Sequence, residues 1–166
     1  MIRPVLCIID VQPYFAAAQE VVAGVLDQIK SFKENNRPII LARFHNCGPS
    51  YNEIIEALRG YEKAHHVCKS DDDGSQAIML YAKKSKLSIK HMVLCGVNTC
   101  CCVSETAISL ARRGHKIHLS EKALSCFCKD KYGCIKTLTD DLVDVYVARE
   151  KEKHAKLTGV CERVIT

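Results

Sequence analysis

The chain has no apolar run long enough to cross a membrane. Its first apolar run, residues 4–9, stops at Asp10 after six residues, too short for a bilayer span or a signal-peptide core. Neither export nor membrane anchoring is therefore expected, and the reading is a cytoplasmic protein without a membrane partner. Low-complexity tracts, internal repeats and linkers are also missing, so nothing divides residues 1–166 into more than one domain. A basic stripe is missing too: 24 Lys+Arg against 19 Asp+Glu give +5, but the cations are scattered along the chain. No nucleic-acid partner is expected from such a distribution. Cysteine is plentiful, at eleven residues, yet no two are spaced as C-x-x-C, which speaks against a thioredoxin-like redox motif.

What is present is a composition suited to one folded domain: 166 residues, 48% hydrophobic and 26% charged, enough to bury a core without covalent staples. Cys7, Cys68 and Cys95 lie inside apolar runs, where a reduced thiol packs as a small hydrophobe. Short runs rich in Val, Ile and Leu alternate with longer segments of helical period. Strands are expected at 4–10, 37–44, 65–69, 90–97, 115–120 and 143–148. Helices are expected at 16–36, 51–60, 75–88, 101–113 and 131–142. In the first helix Val22, Leu26, Ile29 and Phe32 form one apolar stripe. Strands apolar on both faces and joined by helices imply a parallel sheet covered on both sides. The expected fold is a Rossmann-like three-layer α/β/α domain with a mainly parallel six-stranded sheet.

In such sheets chemistry collects at the carboxyl ends of the strands. There the sequence places Asp10, Arg43 and His45, Lys69, and the triplet Cys100, Cys101, Cys102. A carboxylate, a cation and a thiol at neighbouring strand ends are the parts of an activated sulfur nucleophile. Singly, Asp10 also reads as an N-cap, Lys69 as a surface cation and the cysteines as core filler. The acidic turn 71–74 ("DDDG") reads as a solvated loop. Three successive cysteines cannot aim three sulfurs at one metal. The group Cys126, Cys128 and Cys134 suits a metal slightly better, but is taken as ordinary thiols.

Three motifs carry a resemblance. Asp10, Gln12 and Phe15 stand in "DVQPYF", Lys69 ends "HVCK", and Gly96, Thr99, Cys102, Val103, Thr106 and Ala107 form "GVNTCCCVSETA". In this order they resemble the isochorismatase-like cysteine hydrolases, which include nicotinamidases, N-carbamoylsarcosine amidohydrolases and ureidoacrylate hydrolases. The resemblance implies a catalytic trio of Asp10, Lys69 and Cys102, with Cys102 the nucleophile. It implies a cis peptide at Val97–Asn98, with an oxyanion held by the backbone N–H groups of Asn98 and Cys102. The implied reaction is hydrolysis of a small non-peptide amide or ureido C–N bond through a cysteine thioester. A position in the first turn of a helix is expected to favour the Cys102 thiolate, since a free cysteine has a pKa of about 8.5.

The departures bear on substrate and metal. Nicotinamidases resemble one another in an Asp-x-His metal motif after the second strand; here the stretch is Arg43, Phe44, His45, Asn46. Without the acid, no catalytic metal and no other cofactor is expected. Gln12, Tyr14, Phe15, Arg43, Phe44 and Tyr51 are the expected substrate contacts. The expected partners are a small-molecule substrate and further copies of the chain, as a homo-oligomer. Two other readings stay open: a catalytically silent interaction protein on the same fold, and a thiol redox protein using the cysteine triplet.

Overall fold

Val5–Ile9 (β1) is buried along its whole length, as a strand must be when helices cover both faces of its sheet. The computed structural model describes residues 3–141 and 145–148. Around β1 it builds a sheet from Ile39–Phe44 (β2), Ala64–Lys69 (β3), His91–Gly96 (β4), Lys116–Leu124 (β5) and Val145–Ala148 (β6). The order is β3-β2-β1-β4-β5-β6, and every adjacent pair runs parallel. The α/β architecture with six strands is thus as the sequence implies. The expected extension of β6 to residues 143 and 144 lies outside the described residues, as does Leu142.

Side chains divide by the two-residue period of the strands. Cys7, Ile9, Ile40, Ala42 and Val67 face one way, and Ser75–Lys84 (α3), Ser104–Arg112 (α4) and Lys131–Asp141 (α5) cover them through Ile78, Ala107, Leu110 and Ile135. Leu6, Ile8, Ile39 and Leu41 face the other way, beneath Val22–Glu34 (α1) and Asn52–Leu58 (α2). Two apolar layers back to back on one sheet make the three-layer arrangement. No described helix is long and apolar enough to cross a membrane.

Three expected elements differ. The helix expected from residue 16 begins as a 3-10 turn, Ala16–Val21, and becomes α-helical only at Val22. Its tight winding continues the i to i+3 bonds Phe15 N–H to Gln12 O and Ala18 N–H to Phe15 O. β5 runs on to Leu124 past the charged pair Glu121 and Lys122, through a register irregularity opposite Leu94 and Gly96. The helix expected from Cys101 starts with a π turn, Thr99–Val103, in which Val103 N–H reaches back five residues to Asn98 O. Such wide turns are uncommon and recur at functional positions.

The strand order reverses between β1 and β4, which puts a crevice at their carboxyl ends. Gly96 closes the floor of that crevice. Its φ is 115°, and a Cβ there would stand 2.0 Å from the Ile9 carbonyl oxygen, so only glycine lets β1 and β4 approach so closely.

Candidate active site

Asp10 follows the last residue of β1 with φ 52°. In a continued strand it would share the face of Leu6 and Ile8; the left-handed backbone breaks that alternation. Its carboxylate meets Lys69, which lies on the opposite face with Val67. Asp10 Oδ2 and Lys69 Nζ are 2.8 Å apart, and both side chains are essentially inaccessible to solvent. Lys69 Nζ also donates to the backbone carbonyls of Asp71 at 2.9 Å and Asp72 at 3.4 Å, and stands 4.3 Å from the centre of the Phe44 ring. An ammonium removed from water needs such partners. Neither oxygen of Asp10 accepts a well-formed hydrogen bond beyond that ammonium.

Cys102 sits in the π turn, 3% exposed, and packs in the same apolar layer as Ile9 and Val103. Its thiol is close enough to Asp10 for each to perturb the other's titration. Burial raises the Asp10 carboxyl above the ordinary carboxylate range, against the pull of Lys69 and the Cys102 thiol. Burial also pushes the Cys102 thiol up, helped by the negative charges of Asp10 and Asp72 and opposed by the ammonium of Lys69. The expected resting thiolate is therefore not what these surroundings favour. A low-dielectric site beside a carboxylate penalises a second anion more than one turn of helix rewards it.

The Asp71–Asp73 loop belongs to this site rather than to solvent alone. Asp72 accepts from Cys102 Sγ through Oδ1 and from Cys101 Sγ through Oδ2, each at 3.4 Å. The loop is fixed by Asp73, which accepts from Ser75 N–H and from the Ser109 hydroxyl, and by Gly74 N–H, which donates to Thr106 Oγ1 at 2.9 Å. Sequence reasoning missed Asp72, because the contact comes from how the loop folds across α4 and not from any spacing. Asp72 is one of the charges that raise the Cys102 thiol. Replacing it with Asn is expected to speed alkylation of Cys102 by iodoacetamide several-fold at a fixed neutral pH, read by peptide mapping; an unchanged rate would mean that its charge does not reach the sulfur.

The Val97–Asn98 peptide is cis. Asn98 O accepts from the N–H groups of Cys101 and Val103, and Asn98 Oδ1 accepts from Phe127 N–H. Thr99 ties the turn to Ser125 O through its N–H and its hydroxyl.

The remaining expected contacts differ in where they lie. Phe44 lies against Lys69 of the trio, and Phe15, in the layer beneath α1 and α2, meets the Phe44 ring edge-on with ring centres 6.3 Å apart. Gln12 is fully buried and spends its amide on backbone, donating to Phe44 O and Gly48 O and accepting from Phe44 N–H; this makes it a brace for the end of β2 rather than a group free to bind. Tyr14 is 71% exposed and edge-on to Phe15. Arg43, one residue before Phe44, points to the other face of the sheet and is exposed, and Tyr51 packs in the layer beneath α1 and α2. Neither is gathered at the trio. A nicotinamidase-type metal does not fit this donor set: His45 is exposed, and among the described residues it belongs to no group of three or more His, Cys, Asp or Glu side chains.

The comparisons agree with this architecture. The nicotinamidase of Staphylococcus aureus is similar in structure, with a TM-score of 0.75 at 19% identity, covering 89% of this chain and 100% of that one. The N-carbamoylsarcosine amidase of Thermoplasma acidophilum gives 0.73 at 17%, covering 91% and 99%. The MAR1 ribonuclease of Caenorhabditis elegans gives 0.75 at 18%, covering 88% and 77%, so likeness at this level establishes the fold alone. No curated protein matches the sequence. The isochorismatase domain family matches residues 4–133, which include the ends of β1 and β3 and the cysteine turn, and the chain belongs to that family.

Proposed function

We propose that the chain is a cysteine hydrolase that cleaves a small non-peptide amide or ureido C–N bond. The observation that supports this reading best is the buried Asp10–Lys69 ion pair beside the Cys102 thiol. Two charges out of water are costly, and here one of them keeps a carboxylate with unused acceptor capacity next to a sulfur.

In the proposed reaction Asp10 takes the thiol proton as Cys102 Sγ attacks the substrate carbonyl carbon. The backbone N–H groups of Asn98 and Cys102 hold the oxyanion. Asp10 then passes its proton to the departing amine, leaving a thioester on Cys102. A water molecule, deprotonated by the same carboxylate, hydrolyses the thioester; the acid leaves and the thiol is restored. Lys69 keeps Asp10 ionised between proton transfers. The trio is almost closed to solvent, with Phe44 beside it and the 71–73 loop across it, which suits a small substrate. The homo-oligomer expected of this chain is part of the proposal and is read by light scattering on a sizing column.

The base must be ionised to act, so activity is present above the folded pKa of Asp10 and is lost as the pH falls through it. Because that pKa is raised, the acid limb of kcat/KM is expected above pH ~4, the ordinary aspartate value. With the Cys102 thiol also raised, no alkaline limb is expected through neutral pH. An acid limb at or below pH ~4 would count against Asp10 as the base. The reading itself is tested by ammonia or amine release from a panel of small amides and ureido compounds. Turnover of at least one, absent from Cys102→Ala, is expected; turnover that survives in that variant overturns the proposal.

A further inference from the structure

The cysteine triplet is split by the π turn. Cys101 and Cys102 face Asp72, while Cys100 turns towards the β5–α5 connection. There its sulfur meets three others: Cys126 Sγ is 2.8 Å from Cys100 Sγ, Cys128 Sγ is 3.1 Å from Cys126 Sγ, and Cys134 Sγ is 3.5 Å from Cys128 Sγ. All four sulfurs lie within 4.8 Å of one another. Read along the chain, Cys126, Cys128 and Cys134 are separate thiols; folding adds the fourth from 26 residues upstream.

We propose that Cys100, Cys126, Cys128 and Cys134 bind one zinc ion as a tetrathiolate and so clamp the nucleophile turn to the start of α5. Three observations support this. First, the convergence is mutual. Core thiols such as Cys7 and Cys95 sit singly inside strands, and a disulfide would need only pairs, whereas here four sulfurs all lie within 4.8 Å of one another. A tetrahedral site with Zn–S bonds of ~2.3 Å has edges of about 3.8 Å; spreading the two shortest contacts and drawing in the longest seats the ion. Second, the four ligands come from the π turn, the β5–α5 connection and the first turn of α5, and they run from the buried Cys126 to the exposed Cys128, so the group is anchored on its inner side and open to an entering ion on its outer side. Thiolate-only donors in this geometry select zinc over the oxygen-preferring cations, and four sulfurs around one point suit a mononuclear ion.

Third, the backbone already holds the ligands in place. Ser125 N–H donates to Gly96 O, and Ser125 O accepts from Thr99, which brings Cys126 beside Cys100. Lys129 takes φ 62° and donates its N–H to Cys126 O, turning the chain back after Cys128. Asp130 accepts from Gly133 N–H through its side chain and from Cys134 N–H through its carbonyl, fixing Cys134 in the first turn of α5. Such outer contacts orient metal ligands and hold their geometry.

Binding moves no electrons: Zn(II) replaces four thiol protons, which go to the buffer, and leaves a dianionic centre. Cys100 precedes Cys102 by two residues, so the ion would fix the turn without touching the reacting atoms. Its role is structural, and the hydrolase reading does not depend on it.

The test is elemental analysis of the full chain, expressed with added zinc chloride and purified without chelator, followed by cobalt(II) chloride reconstitution of the metal-stripped protein. One zinc per chain is expected, together with a cobalt spectrum showing intense sulfur-to-metal charge transfer and tetrahedral ligand-field bands. Cys128→Ser and Cys134→Ser should each lose the metal, and Cys68→Ser should keep it. Cys102→Ala should also keep it, so that a failure of the zinc site and a failure of the hydrolase reading show up separately. The proposal is overturned by zinc below stoichiometry in the wild-type chain, by a cobalt spectrum lacking thiolate bands, or by an intact mass showing that these four thiols are oxidised to disulfides.

Discussion

Cys102→Ala is expected to lower hydrolysis by about 10⁴-fold or more, the scale on which loss of a covalent nucleophile acts, while thermal unfolding stays within about 1 kcal/mol of wild type. The change removes one sulfur from a site whose neighbours are Asp10, Asp72 and a rigid turn, so it opens little space. Cys102→Ser makes the same point more sharply. An alkoxide is harder to form than a thiolate, and the carboxylate of Asp10 is too weak a base to make up the difference, so activity should stay near that of the alanine variant. Steady-state kinetics on one good substrate, with calorimetric melting of each variant, separates loss of chemistry from loss of fold. A serine variant at near wild-type rate would show that the group attacked by substrate lies elsewhere.

Lys69→Met is expected to damage both fold and rate, and the pH dependence distinguishes the two. Removing the ammonium leaves Asp10 buried without a counter-ion, which costs about 3–5 kcal/mol when the carboxylate must stay charged. Asp10 can escape by taking a proton. Its folded pKa, already raised by burial, rises further once Lys69 is gone. A raised carboxyl pKa means that stability is lost as the pH climbs from the ordinary aspartate value through the folded one. The deficit relative to wild type should therefore be small in mild acid and large at neutral pH. At neutral pH a protonated Asp10 cannot take the thiol proton, so kcat/KM should fall by ~10²-fold or more, with the acid limb moved upward. Equal destabilisation at every pH would mean that Lys69 supports the fold through its backbone contacts to Asp71 and Asp72 and not through Asp10.

How far the sequence speaks depends on the range of the interaction involved. β1, β2 and β4 are legible because burial on both faces demands unbroken apolar runs, and Val5–Ile9, Ile39–Ala42 and Met92–Gly96 supply them. β5 is underestimated because Glu121 and Lys122 interrupt the run at a bulge, where side chains can leave the sheet. The approach of Asp10 to Lys69 follows from strand order, since β2 alone separates β1 from β3 at one edge of the sheet. A motif names residues without giving their duties. Gln12 was expected to touch substrate and instead has its amide filled by the backbone of residues 44 and 48. Arg43 was expected to touch substrate together with Phe44, but neighbours on a strand face opposite ways. Asp72 and the addition of Cys100 to Cys126, Cys128 and Cys134 are illegible for one shared reason: each is a contact across about 30 residues, made by a path with no periodic signal; the three nearby cysteines were visible as a group but read as ordinary thiols. The surroundings of Cys102 are illegible on the same ground: the helix end is local and visible, while the burial and the two carboxylates that raise the thiol are not.

The central claim is that a substrate acyl group becomes bonded to Cys102. It is tested most directly by acid-quenching the wild-type protein during turnover of the best amide in the panel and mapping the modified peptide by mass spectrometry. The account predicts the mass of the acyl fragment, without its amine, on the peptide that contains Cys102, removable by hydroxylamine and absent from Cys102→Ala. An acyl group on Cys126 or Cys128, or turnover without any acyl-protein in a variant that lacks Cys102, would contradict it.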